Sequence, residues 1–116
     1  MDLNNELGTI EISEEVLSTI ASVAAGEVDG VACLATSLGE NIKDLLKKKY
    51  AGKGISIEVS DAGLAVVVNI IVKYRCNVQE VAVKVQDAVL NAIQDMTNQQ
   101  VSAVNVNVVN VQIVEE

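Results

Sequence analysis

The sequence has no histidine, no phenylalanine and no tryptophan, and its only aromatic side chains are Tyr50 and Tyr74. Each absence excludes something. Without histidine, the commonest general acid–base group near neutral pH and the commonest transition-metal ligand are missing. Without a set of aromatic rings, the chain lacks the stacking platforms on which single-stranded nucleic acids lie. Acids outnumber bases sixteen to eight, and the resulting formal net charge of −8 repels a phosphate backbone. Nucleic acid is therefore not an expected partner. Cysteine is scarce as well. Cys33 and Cys76 stand far apart with no CxxC spacing and read as reduced thiols in or near the core of a cytosolic protein. A disulfide between them requires a fold that brings them together. The longest apolar run, residues 64–72, contains Asn69 and falls far short of a membrane span. The first six residues, Met1-Asp-Leu-Asn-Asn-Glu6, are acidic and polar where a signal peptide is basic and then apolar. A soluble intracellular protein with no direct membrane span is the expectation.

What is present is aliphatic. Half of the 116 residues are apolar, so one domain's worth of chain carries a core of Val, Ile, Leu and Ala. Residues 1–8 read as a short, flexible acidic lead-in, and residues 9–114 as a single domain. Thr9-Ile-Glu-Ile-Ser13 alternates like a strand with Ile10 and Ile12 inward. Ser13 then suits a helix N-cap, and Glu14 and Glu15 favour the positive end of the helix dipole. Val16, Leu17, Ile20, Val23, Ala24 and Val28 recur at helical spacing. Ala21, Ala24, Ala25 and Gly26 keep this helix thin, so that another element can approach. Leu38, Ile42, Leu45 and Leu46 predict a short amphipathic middle helix. Ile55, Ile57 and Val59 alternate with polar residues, Asp61-Ala62-Gly63 supplies a turn, and a return strand runs from Leu64 to Tyr74: a β-hairpin. Because Ala65, Val67 and Ile71 make the second face of the return strand apolar too, that strand is expected to be central. Asn77 caps a second main helix, with Glu80 placed for a capping box. Val78, Val81, Ala82, Val85, Ala88, Val89, Ala92, Ile93 and Met96 form its stripe. The predicted fold is α+β: a two-layer sandwich with a mostly antiparallel four-stranded sheet, covered by two main helices plus the short middle helix.

The last segment, from Val101 to Val114, alternates but slips midway. Val104, Val106 and Val108 point one way, and Val109, Val111 and Ile113 the other. A slip of one residue turns a strand's apolar set over, so the strand either carries a bulge or buries its halves against different partners. Val109, Val111 and Ile113 are the expected self-association surface, on a second subunit or on a far face of the same domain.

Several stretches together resemble the alkaline shock protein family of envelope stress response proteins, found mainly in Gram-positive bacteria. They are Gly8-Thr-Ile-Glu-Ile-Ser-Glu-Glu-Val16, Glu27-Val-Asp-Gly-Val31, Val78-Gln-Glu-Val-Ala-Val-Lys-Val-Gln86, Met96-Thr97 and Val101-Ser-Ala-Val-Asn-Val106. Two positions differ. The family usually has glycine after the tyrosine of the third strand, where this chain has Arg75-Cys76. It usually has Thr-Gly before the last strand, where this chain has Thr97-Asn98, and asparagine tolerates the left-handed backbone that glycine would supply. The resemblance implies a non-enzymatic cytosolic protein without cofactors or catalytic residues, gathered at the inner face of the cell membrane by a membrane-anchored partner. It also implies, as the alternative, a regulatory protein that binds and modulates a fatty-acid biosynthesis enzyme such as acetyl-CoA carboxylase.

Two groups of residues are candidate partner-binding sites. Lys43, Lys47, Lys48, Lys49 and Lys53 are five of the eight basic residues, whereas the first 29 residues hold seven acids and no base. This cluster reads as a patch for an anionic partner or membrane surface, or as a solvated helix face. In a third reading it meets the acidic N-terminal segment of another copy. Val83 and Leu90, seven residues apart on the second main helix, form a small apolar surface beside Lys84 and Asp87 unless the middle helix covers them. Gly52-Lys53-Gly54 lacks the Ser/Thr and the strand–loop–helix order of a phosphate loop and reads as a turn. No metal site and no catalytic set is expected.

Overall fold

The computed structural model describes the backbone of residues 2–35 and 54–113 and the side chains of residues 6–35 and 54–113. The predicted middle helix and the five clustered lysines lie outside the described residues. The chain opens with β1 (Asp2–Asn5) and β2 (Gly8–Glu11), an antiparallel hairpin that forms a two-stranded sheet of its own. Residues expected as a lead-in thus form one arm of a hairpin. Ile10, expected inward, is exposed, because β2 pairs with β1 and not with the main sheet.

Helix α1 (Glu14–Gly26) starts where its cap chemistry says it should: the Ser13 hydroxyl accepts from the Val16 amide at 3.2 Å. It buries Leu17, Ala21 and Ala25, one residue per turn on one stripe, and the small side chains let α2 (Val78–Thr97) pack alongside. In α2, Asn77 Oδ1 accepts from the Glu80 amide at 3.1 Å. Val81, Val85, Val89 and Ile93 are buried with a strict four-residue spacing. Val78 and Met96, at the two ends of the predicted stripe, are exposed instead.

The main sheet holds β3 (Val31–Leu34), β4 (Ile55–Ser60), β5 (Gly63–Lys73) and β6 (Val101–Gln112). It is an open α+β sheet, mostly antiparallel, with the two helices on one face. Strand β5 is central, as its two apolar faces predict. Along one edge it pairs with β4 and then, further on, with β3, both antiparallel. These two short strands lie end to end and meet at Asn69, whose carbonyl accepts from Ala35 and whose amide donates to Gly54. Ala35, the last described residue after β3, and Gly54, the first before β4, therefore stand side by side on the edge. A Cβ at Gly54, which has φ +85°, would stand 2.6 Å from the Ala35 carbonyl oxygen, so only glycine fits the junction.

The other edge of β5 is occupied along its whole length by β6, and this pairing is parallel. Antiparallel hairpins can be closed by a turn, but a parallel neighbour needs a crossover, and α2 supplies it. The core lies between the helices and one face of β5, where Leu64, Val66, Val68, Ile70 and Val72 are buried. Each such side chain stabilises the fold by about 1.5–3 kcal/mol when fully removed from water. Val104, Val106 and Val108 of β6 and Ile55 and Ile57 of β4 border it. On the opposite face Ile71, Cys33, Ala32 and Ala35 form a second, small buried cluster. Cys33 is buried and Cys76 partly so.

Both positions at which the chain differs from the family's usual glycines have left-handed backbone. Asn98, with φ 57° and ψ 20°, caps α2 and donates its amide to the Gln94 carbonyl. Arg75, with φ 76°, adopts the same region in the turn after β5, and its guanidinium lies 5.7 Å from the centre of the Tyr74 ring.

Candidate functional site

The phase slip in β6 is resolved by a bulge. Ile70 pairs with Val108 and Ile71 with Asn110, so Val109 is the extra residue. Beyond it Val111 returns to the helix side beside Val72, while Asn110 and Gln112 stand on the outer face beside Ile71 and Lys73. The expected reversal of the apolar face does not occur, and the second half of the strand stays in the sheet. Val109, Val111 and Ile113 remain 38 %, 41 % and 69 % exposed. On the outer face Asn107 Nδ2 donates to Asn69 Oδ1 at 2.9 Å, part of a polar ladder along β6.

Helix α2 runs antiparallel to both strands it connects, and one flank of it overhangs β6. Gln86 Nε2 donates to the Val104 carbonyl at 3.0 Å. Around this contact is a shallow depression of about 200 Å³ lined by Gln86, Leu90, Val101, Ser102, Ala103 and Val104. Val83, on the same helix flank as Leu90, is 48 % exposed and lines a second depression with Asn77, Glu80 and Lys84. The structure thus brings Leu90 to the β6 side of the molecule. The predicted contact residues Lys43, Lys47, Lys48, Lys49 and Lys53 fall outside the described residues.

A third feature went unnoticed in the sequence. Thr19, Ile20, Val23 and Ala24 of α1, its C-cap Glu27, and Ala92 and Met96 of α2 line an apolar groove of about 330 Å³ between the helices. Met96 is 70 % exposed. The signal for it was the small side chain at Ala24 and Ala92, which leaves the space, but helical spacing alone assigned Met96 to the core. Among the described residues no group of three or more His, Cys, Asp or Glu could hold a metal ion, and no helix is long and apolar enough to cross a membrane.

These elements, in this order, match a known family. The model of the alkaline shock protein 23 family, described as having a cell envelope-related function, covers residues 2–113, and the chain belongs to that family. Among its relatives, YqhY of Bacillus subtilis (strain 168) is 30% identical over 109 residues, 94% of this chain and 81% of that protein. Spy1614 of Streptococcus pyogenes is 29% identical over 116 residues, covering 98% of this chain and 96% of the relative. A protein of Streptococcus pyogenes named as a stress response regulator gls24 homolog is 26% identical over 110 residues, 94% of this chain but 62% of its own length. In fold, the chain is similar to solved variants of the MamM CTD, one of them a copper form. The TM-score is 0.52, with 14% identity over 89% of this chain and 100% of theirs. At that identity the likeness is one of fold alone.

Proposed function

We propose that this chain is a non-catalytic interaction protein of cell-envelope homeostasis and the envelope stress response, working through protein partners. The family's envelope-related function and the stress-regulator name of one relative support the role. The observation that carries the interaction reading is the helix layer. Val83 and Met96 stand in solvent beside largely apolar depressions, and on a folded protein such surfaces mark contact sites. On this reading the chain is cytoplasmic and is held at the inner face of the membrane by a membrane-anchored protein.

The test is deletion of the gene in its native host, followed by complementation. Loss of tolerance to envelope stress is expected, restored by the wild-type chain and not by Met96→Asp, which changes an exposed side chain and leaves the fold intact. Unchanged stress tolerance in the deletion strain overturns the reading. If the tagged wild-type chain co-purifies with acetyl-CoA carboxylase and not with a membrane protein, the regulatory alternative replaces the scaffold.

A further inference from the structure

We propose that two copies of this chain join through the free edge of β6, the strands running antiparallel about a two-fold axis, with α2 of each copy meeting its counterpart above the seam. The proposal starts from an edge. Strand β6 runs from Val101 to Gln112, one side pairs with β5, and the other has no strand partner among the described residues. Such an edge presents a row of backbone donors and acceptors ready to pair with another chain, and proteins normally blunt it with charges, proline, bulges or a covering element. Here charge and proline are absent, the shifts at Ser102 and Val109 leave Ala103 to Val108 in regular register between them, and Gln86 occupies one carbonyl, that of Val104. No charged residue and no proline lies between Asp95 and Glu115, in a chain that carries 21% charged residues and a net charge of −8. Two copies repel one another through their acidic surfaces, but two β6 edges meet without opposing like charges.

The occupant is a second copy because the flank of α2 is self-complementary about the same centre. Val83 and Leu90 are separated by two helical turns, about 10 Å. Reversed about an axis at Gln86 and Asp87, Val83 of one copy faces Leu90 of the other. The same reversal brings exposed Lys84 of each copy toward exposed Asp87 of its mate, an attractive pair. Gln86 touches β6 at Val104, and the middle of β6 lies at Val106 and Asn107. The centres of the helix patch and of the strand therefore coincide to within about 8 Å. A single two-fold axis satisfies both, as an isologous interface requires. The seam covers Val83, Leu90 and the edge of β6, and the bulge at Val109 marks where regular pairing stops.

The proposal goes beyond the scaffold reading and stands without it. A monomeric chain whose deletion still impairs envelope tolerance overturns only the pairing, and a dimeric chain whose deletion has no effect overturns only the scaffold. The experiment is sedimentation equilibrium of the full chain over a concentration series from low micromolar to millimolar. The wild type is expected to approach twice its 12.3 kDa mass. Val83→Asp on the helix flank sets a charge against Leu90 of the other copy, and Asn105→Lys on the outer face of β6 sets one beside the uncharged strand edge, so each buries an unpaired charge at the seam. Each should raise the half-dissociation concentration roughly tenfold or more. Both positions are exposed, and an unfolding midpoint at monomer concentrations checks that each variant folds. A wild-type mass of 12.3 kDa throughout, a multiple other than two, or a dimer that neither folded variant weakens overturns the proposal.

Discussion

The two edges of the main sheet are built by opposite means. One is assembled from two short strands, β3 and β4, set end to end along β5 and meeting at Ala35 and Gly54. All four residues of β3 are buried, and β4 exposes Glu58. The other edge is one strand of twelve residues, uncharged throughout, interrupted by register shifts at Ser102 and Val109. The break at Ala35 and Gly54 and the exposed charge of Glu58 blunt the first edge against further pairing, whereas the second, whose two shifts leave Ala103 to Val108 in regular register and without charge, invites it. The difference teaches that the chain closes one side of its sheet and leaves the other open, under the flank of the helix that leads into it.

That contrast can be broken or sharpened by substitution. The largest effect is expected at Val89, buried in the core shared by both edges. Val89→Asp leaves an unpaired charge without water and should cost more than about 3 kcal/mol, abolishing the cooperative urea transition. Gly54→Ala attacks the interrupted edge alone. Its Cβ would meet the Ala35 carbonyl in a positive-φ conformation, and a loss of at least about 2 kcal/mol is expected in the same measurement. The folded fraction should still associate through β6, which this substitution does not touch.

Smaller effects sharpen the comparison at the two ends of α2, the crossover that sets β6 in place. Arg75→Gly relieves a left-handed residue before the helix and should raise stability by about 0.5–1 kcal/mol in chemical denaturation, less what the Tyr74 ring contact contributes. Asn98→Ala, at the left-handed cap after the helix, should lower it by about 1 kcal/mol. Val83→Asp, on the flank over the open edge, should change monomer stability by no more than about 0.5 kcal/mol while weakening self-association.

Where a local rule and the final environment agreed, the sequence could be read directly. The caps at Ser13 and Asn77, the four-residue spacing of Val81, Val85, Val89 and Ile93, and the hairpin around Asp61-Ala-Gly63 are all local, and each stands where it was expected. The left-handed turn at Arg75 was visible only by comparison with the family's glycine, since nothing in the arginine announces it. Strand β3 was missed because Val31–Leu34 is four residues long and uniformly apolar. A register shift between Val31 and Cys33 removes the alternation that would have marked it. Ile10 alternates correctly but pairs with β1 in a hairpin apart from the main sheet, a choice of partner that periodicity does not contain. The slip in β6 was legible, yet its consequence was not. A bulge returns Val111 to the helix side, so the exposed surface follows from how far α2 reaches and not from the strand's phase. The α1–α2 groove escaped for the same reason, because helical spacing marks a face and not where the neighbouring helix ends.

Hydrogen exchange of the full chain at low and high concentration tests most directly the claim that one edge is closed and the other open. Amides of β6 between Val101 and Val108 should slow with rising protein concentration, whereas those of β3 and β4 keep the same rates. Equal exchange of β6 at both concentrations, or concentration-dependent protection confined to β3 and β4, would contradict it.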